Sequence, residues 1–508
     1  MLVVNLFKHT QKNILCLRSA STINNNAVNN SETTTQPLKT WEEIPGPPSL
    51  PIIGEIHHFL PGGSLYKLEG YNLQNHLYKT YGPIVKMKGH FGGPDVVMLF
   101  DAESSAQILR AENNSPKRPG FMSLEYYRKV VKRKKGHSDK YTGLITDHGQ
   151  EWRELRSAIN PIMLQPKSIK AYNEALDEVA QDMVARMKSL RNENNMIKTK
   201  FSEEINLWSL ESIGLIALGV RLNSFDFNLP MDSPVRKLIK MVHEFFAVAD
   251  ILDFKPSIWR FYPTKTFKRA MKLYDELENL NAEFIKKTVM RLKTENKPDD
   301  EKSVLEKLID VDEKVAVLIA SDLLFAGVDT VANTMIFIFY LLAINPDKQN
   351  KLREEVMNKP DRRPYIKACI KEAMRLMPVA FGNLRETSRE YNLLGYRIPK
   401  NVFVIICHQH MALMECHYPR PHEYIPERWL VDKDDPLYYG NAHPFAFSIF
   451  GYGARGCIGR RLAELEMEVF LARVIENFQI QWLGEPIKVR QSVVNYVVEP
   501  FNFIFKDV

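Results

Sequence analysis

Phe450-Gly451-Tyr452-Gly453-Ala454-Arg455-Gly456-Cys457-Ile458-Gly459 sets a cysteine in a glycine-laced loop that runs straight into a helical pattern, predicted from Arg460 to about Asn477. Glycines on both sides of the sulfur open turns closed to other residues and let the backbone approach a flat ligand closely. A helix N-terminus just beyond Cys457 favours the thiolate through the helix dipole and its unpaired amides. The loop therefore presents a soft, anionic ligand. Phe450, upstream, is placed to screen the sulfur, and Arg455 to pair with a carboxylate of a bound group. A structural cysteine beside a turn is the ordinary alternative; a pattern specified at so many positions argues against it.

The composition leaves room for such a site and excludes other kinds. The 508 residues are 45% hydrophobic and 25% charged, enough for a large core. Cys16, Cys369, Cys407, Cys416 and Cys457 are too few and too irregular for a disulfide framework, and no Cys-x-x-Cys pair offers a zinc site. Basic residues number 68 against 61 acidic ones, a formal charge of +7, and they are dispersed, so no nucleic-acid role is suggested. Residues 1–31 carry Lys8, Lys12 and Arg18 without an acid and are rich in hydroxyl and amide side chains, the composition of a mitochondrial transit peptide. They hold no apolar run of the roughly 20 residues that a membrane anchor needs. The expectation is a leader over 1–31, a linker over 32–43 and one folded domain over 44–508, opened by the stiff Ile44-Pro45-Gly46-Pro47-Pro48.

Residues 84–88 and 96–100 alternate around Gly92-Gly93 and predict a hairpin, after which Asp101 reads as a helix cap. The basic run 128–140 predicts a solvated loop. Trp152 and Arg156 lie four apart on one face of a predicted helix. Residues 168–297 predict amphipathic helices without a chemical motif, with Phe245, Phe246, Phe254, Trp259, Phe261 and Tyr262 mostly in the core. Residues 315–345 are apolar enough for a membrane span, but Asp322 and Asp329 interrupt them and Pro346 ends them, so a buried core helix is predicted. Within it Ala326-Gly327-Val328-Asp329-Thr330 puts Ala326 and Thr330 one turn apart on one face, a small residue beside a hydroxyl. A buried aspartate there is costly and needs a reason. Glu372-Ala373-Met374-Arg375 pairs acid and base on a helix that also carries Lys367 and Lys371, and Pro426-Glu427-Arg428-Trp429 follows. Residues 493–498 and 501–505 read as strands.

Together these segments resemble, in order over 44–508, five motifs of the cytochrome P450 superfamily: Trp-x-x-x-Arg at 152–156, Ala-Gly-Val-Asp-Thr at 326–330, Glu-x-x-Arg at 372–375, Pro-Glu-Arg-Trp at 426–429 and Phe-x-x-Gly-x-Arg-x-Cys-x-Gly at 450–459. The resemblance implies a mainly α fold with small β-sheet regions. It implies haem b held between the long central helix and the cysteine loop with its helix, and Cys457 as the axial thiolate that favours O–O cleavage. Trp152, Arg156 and Arg385 would hydrogen-bond the haem propionates. Thr330 would hydrogen-bond bound oxygen and order water while Asp329 relays protons; Val331 stands where the family often has Ser or Thr, a departure that leaves the relay intact. Arg428 would complete a buried structural clamp with Glu372 and Arg375.

In mitochondrial members, basic residues placed like Lys367, Lys371, Arg460 and Arg461 dock a small acidic ferredoxin, which carries electrons from NADPH by way of its reductase. Val379-Ala380-Phe381-Gly382 resembles a pocket-lining segment, and the aromatic group a lid that touches the inner mitochondrial membrane from the matrix side. The chain looks most like the insect mitochondrial group, and Asn160-Pro161-Ile162-Met163-Leu164-Gln165-Pro166-Lys167 is similar to its xenobiotic-associated branch. The implied reaction inserts one atom of O2 into a small apolar organic molecule, a xenobiotic. A hydroxylase of ecdysteroid or sterol hormone synthesis shares that chemistry. A haem sensor or carrier without turnover is the rival of a different kind, and needs neither the Asp329–Thr330 pair nor the docking residues.

Overall fold

The apolar run predicted as a core helix is the axis of the structure. In the computed structural model, which describes residues 37–508 except 113–114, 137–138, 231, 293–301, 359 and 361, it becomes one helix, Glu313–Ala343. The leader predicted over 1–31 and the first part of the 32–43 linker lie outside the described residues. From Lys39 to Val508 the chain forms one compact unit. The central helix is apolar on every side and 21 of its 31 residues are buried, which is why a run long enough to cross a membrane takes the middle of a core instead. Asp312 caps it, its carboxylate accepting from the amides of Lys314 at 2.8 Å and Val315 at 3.0 Å.

Among the described residues the helices of nine or more residues are α1 (Gly70–Tyr81), α2 (Ala102–Arg110), α3 (Gly149–Met163), α4 (Asn173–Leu190), α5 (Phe201–Leu218), α6 (Pro234–Ala249), α7 (Lys265–Leu292), the central α8 (Glu313–Ala343), α9 (Pro346–Met357), α10 (Pro364–Leu376) and α11 (Arg460–Asn477). α11 begins and ends where the helical pattern places it. α5 lies against α8 so closely that a Cβ on Gly327 would stand 2.6 Å from Ile213 Cγ1, and only glycine permits that approach. α11 joins them through Phe470, stacked on Trp208 of α5 with centroids 4.2 Å apart.

The strands are short: β1 (Ile84–Met87), β2 (Val96–Leu99), β3 (Asn383–Glu386), β4 (Tyr391–Leu393), β5 (Tyr396–Ile398), β6 (Phe403–Ile406), β7 (Phe478–Trp482), β8 (Lys488–Gln491), β9 (Asn495–Val498) and β10 (Phe503–Asp507). The largest sheet runs β1-β2-β6-β3. β1 and β2 are the predicted hairpin, with Ile84 opposite Leu99; β6 joins parallel to β2 and antiparallel to β3. Asp101 caps α2 through the amide of Ser104 at 2.7 Å. β4–β5, β7–β10 and β8–β9 are separate antiparallel pairs, so the fold is mainly α with small sheets.

The basic run 128–140 is exposed at 133–136 and 139–140, as expected of a solvated segment, and departs from that expectation at Arg128. Arg128 sits in a π-turn, Tyr127–Val131, after the short helix Met122–Tyr126, and its guanidinium is buried. It meets Asp322 of α8 at 2.8 Å and Glu278 of α7 at 3.1 Å, and donates to Thr142 O at 2.9 Å. The physical reason lies in the central helix: a carboxylate fixed in the core at Asp322 requires a buried counter-charge.

Candidate functional site

The cysteine loop turns on two glycines in left-handed conformations, Gly451 (φ +70°) and Gly453 (φ +66°). It closes through the amide of Cys457 donating to Phe450 O at 2.8 Å and that of Gly456 to Gly453 O at 3.0 Å. Phe450 is thereby tied to the cysteine by its backbone, and Arg460 lies 5.1 Å from the centre of its ring. Cys457 is exposed. Burial is nonetheless the largest influence on its thiol, raising the pKa against the Gly459 amide and the charges of Arg118, Arg156 and Arg460. A sulfur both accessible and desolvated opens onto interior space, not bulk water. The helix terminus pulls towards the thiolate as its position implies, but burial outweighs it, so a metal bound there displaces a proton.

Four arginines share this region, Arg118, Arg156, Arg385 and Arg455. Arg385, on β3, is paired with Glu112 and donates to Leu384 O at 3.0 Å. Arg156, on α3, gives Nη2 to Gly456 O at 2.8 Å, while its buried Nε has no partner. Arg455 is largely occupied: Nε donates to Pro116 O at 2.8 Å, Nη1 to Leu144 O at 3.2 Å, and Nη2 to Asp147 O at 2.9 Å and towards His148 Nδ1 at 3.3 Å. One of its five N–H groups is left for a ligand. Its guanidinium also lies 3.7 Å from the centre of the buried Trp152 ring, so Trp152, Arg156 and Arg455 are brought together. Burial first, then the neighbouring guanidiniums, pull Arg455 down to about 8 and Arg118 to about 10. Four guanidiniums face the carboxylate of Glu112, which leaves positive charge in excess in a desolvated region. That donor set fits a flat macrocycle bearing two carboxylates beside a metal-ligating sulfur, as haem b does.

On α8, Ala326 is exposed and Thr330 half-buried, while Phe325, Val328 and Asp329 beside them are buried. Their common face is thus an inner wall. Thr330 donates its hydroxyl proton to Ala326 O at 2.8 Å, which leaves its oxygen free to accept. Asp329 points elsewhere: its Oδ1 lies 2.9 Å from Nε2 of His243 on α6. The β8–β9 hairpin reaches the pocket-like segment after Pro378, with Asn495 donating from its amide to Val379 O and from Nδ2 to Pro378 O, each at 2.8 Å.

Glu372, Arg375 and Arg428 meet with no exposed atom between them. Glu372 Oε1 accepts from Arg375 Nη2 at 2.8 Å and Arg428 Nε at 2.9 Å; Oε2 accepts from Arg375 Nε at 3.0 Å and Trp429 Nε1 at 2.9 Å. The spare guanidinium donors go to backbone carbonyls of the 412–423 segment, including Pro421 O at 2.7 Å. Lys367 and Lys371 are exposed on the outside of the same helix, Lys367 only 3.5 Å from Glu468 of α11. Arg460 and Arg461 are exposed at the start of α11, bonded to Glu464 and to Leu164 O.

Two residues of the site lie outside every motif read from the sequence. Arg118, in Pro116-Lys117-Arg118-Pro119, shows no periodicity, and only the fold brings it to the sulfur. His243 is one polar residue on an otherwise ordinary amphipathic helix; the buried Asp329, which needs a partner, is the one signal that points to it.

The cytochrome P450 family model matches residues 44–500. The chain is 35% identical to cytochrome P450 CYP12A2 of Musca domestica over 94% of each chain. It is 34% identical to the probable cytochrome P450 12a5, mitochondrial, of Drosophila melanogaster over 92% of this chain and 91% of that one. Among solved structures it is similar to the haem domain of cytochrome P450DA, with a TM-score of 0.72 at 18% identity over 93% of this chain and 98% of the other.

Proposed function

The chain belongs to the cytochrome P450 family and is a monooxygenase; from that premise we propose that it works in mitochondria, inserting one atom of O2 into a small apolar xenobiotic with electrons from NADPH through ferredoxin reductase and ferredoxin. The observation that carries this reading is the accessible, desolvated thiol of Cys457 among arginine charges. Cys457 would hold the haem iron and Phe450 screen the sulfur. Arg118, Arg156 and Arg385, with the remaining N–H of Arg455 and the indole of Trp152, would hold the haem carboxylates. When bound, the haem supplies activation of O2 and its transfer to substrate.

The chain supplies position and protons. Thr330 Oγ1, its own proton given to Ala326 O, accepts from a donor at the wall and holds water there. Asp329, adjacent on α8 but with its carboxylate turned to His243, would feed it by way of water. Phe121, Phe245, Phe246 and Phe325 pack with ring centroids 4.2 to 6.4 Å apart, an apolar roof suited to an apolar substrate and to excluding water.

The basic residues Lys367, Lys371, Arg460 and Arg461 lie exposed on two packed helices, one of them following Cys457, and support docking of an acidic ferredoxin there. Phe261 and Tyr262 are 75% and 63% exposed, and Phe261 adjoins the turn at Gly92, whose neighbour Phe91 is bonded to the exposed Ile52. That apolar face supports peripheral contact with the inner membrane on its matrix side. Mitochondrial placement rests on the leader composition and on relatives named mitochondrial.

The test is incubation of the haem-loaded protein with ferredoxin, reductase and NADPH over a panel of plant and synthetic toxins and of sterols. Oxidised toxins support the reading. Products from ecdysteroid precursors alone move the chain to hormone synthesis, and haem binding without any product makes it a sensor or carrier. Cys457→Ser should abolish the thiolate-type absorbance of the ferrous carbon monoxide complex; its retention overturns the ligand assignment.

A further inference from the structure

Asp329 is buried in the central helix, and a proton reaching the inner wall through it has to come from somewhere. The side chain beside it is His243, whose own surface is 44% exposed. Nε2 of that ring stands 2.9 Å from Asp329 Oδ1, a buried atom without a hydrogen-bond partner, and 3.0 Å from Asn206 Nδ2 of α5. The same ring nitrogen thus has a partner in each charge state: the neutral ring accepts from Asn206, and the charged ring donates to Asp329. We propose that His243 is a positioning residue that loads Asp329 with protons taken from water at its exposed edge, and so sustains proton delivery at Thr330; the inference rests on the monooxygenase reading above.

The step balances. The imidazolium gives its Nε2 proton to Asp329 Oδ1 and is left neutral with a proton on Nδ1. Its exposure lets the ring swing about χ1, take a proton from water at Nε2 and return. The groups that face it are Asp329 from α8, and Glu203 and Asn206 from α5. On α6 itself Lys240 is one turn away, and Glu244 is engaged with Arg269 of α7. Burial works against charge on the ring. The hydrogen bond and charge of Asp329, then the charge of Glu203, outweigh it and hold His243 above the ordinary histidine value. A larger share of these rings is therefore charged near neutral pH than an isolated histidine would show.

The experiment uses the full haem-loaded protein with ferredoxin, reductase and a turned-over substrate. His243→Ala and His243→Gln should keep the thiolate-type carbon monoxide spectrum and release about tenfold more peroxide per NADPH. That is less than the 10²–10⁴-fold supplied by a directly acting acid, because water partly replaces a relay. Wild-type coupling should fall as pH rises through the His243 pKa, and both variants should be insensitive to that range. Independently of turnover, labelled-histidine NMR should find His243 titrating above a free histidine and falling back in Asp329→Asn. Normal coupling in both variants, or an unshifted His243, overturns this inference alone. A wild-type protein without the thiolate spectrum overturns the monooxygenase reading and this inference with it.

Discussion

Glu372 is a carboxylate in the wrong place for a carboxylate, without an exposed atom, and it is tolerated because five N–H donors converge on it from Arg375, Arg428, Trp429 and the Ile425 amide. Glu372→Ala leaves two guanidiniums buried without a counter-charge and should cost about 3–5 kcal/mol. The urea midpoint checks it; a midpoint like that of the wild type would show the clamp to be dispensable. Arg118→Ala removes a buried arginine that faces Cys457, Arg385 and Arg156, and a charged hydrogen bond is worth about 1.5–3 kcal/mol. Haem should then dissociate roughly tenfold or more faster into an acceptor such as apomyoglobin, with Arg118→Lys in between. The two residues differ in how far they could be read. Glu372 and Arg375 share one helical turn, which by itself reads as an ordinary acid–base pair; the resemblance of that segment and of Pro426-Glu427-Arg428-Trp429 to family motifs made the clamp legible. Arg118 carries no pattern: its role exists only once Cys457, Arg156 and Arg385 have been folded around it.

At the level of elements, periodicity and caps were legible where one helix or hairpin decides its own shape, as in α8, α11, β1 and β2. Long-range ion pairs were not. Arg128 looked solvated because its charged neighbours do; Asp322 and Glu278, which bury it, belong to other helices. The contact of α5 with α8 is similarly set by a pair. Gly327→Ala pushes a methyl to 2.6 Å from Ile213 Cγ1 and should lose about 1–3 kcal/mol, much of it recovered by Ile213→Ala in the same chain. Thermal denaturation of the two singles and the double variant measures that coupling. Asp253, in the π-turn Asp250–Phe254 that ends α6, accepts from the amide of Ser123 at 3.0 Å and from its hydroxyl at 2.6 Å, tying that turn to the short helix Met122–Tyr126. Burial raises its pKa from 3.8 to about 7, against the Ser123 bonds. An acid raised in the folded state contributes stability that is complete below its unfolded value and is lost as pH rises through the folded one. Between about pH 4 and pH 7 the tie should therefore loosen, seen as falling amide protection factors over 250–262. Asp253→Asn, which keeps a hydrogen-bonding amide and no charge, should remove that pH dependence.

Over the whole molecule, the buried clamp and the exposed cations are two faces of one helix. α10 turns Glu372 and Arg375 inward and Lys367 and Lys371 outward, and it packs against α11, which starts two residues after Gly456-Cys457-Ile458 and carries Arg460 and Arg461. The fold thus places a patch of positive charge over the side of the core nearest the cysteine loop, although the formal excess of +7 is spread thinly over the chain. Neutralising Lys367 and Lys371 to glutamine removes no donor to Glu372 and gives up only the exposed contacts with Glu468 and the Trp429 ring, so the carbon monoxide spectrum and the melting temperature should stay close to those of the wild type. Ferredoxin binding at low salt should weaken by about 1–2 kcal/mol, or roughly 5- to 30-fold, since each partly screened pair contributes up to about 1 kcal/mol. Because that loss is coulombic, the two proteins should converge as ionic strength rises and the Debye length falls below about 8 Å. Titrations at several salt concentrations separate this from a packing effect: a deficit that persists unchanged at high salt would mean that the lysines act through shape, and an unchanged affinity throughout would put the electron-entry face elsewhere.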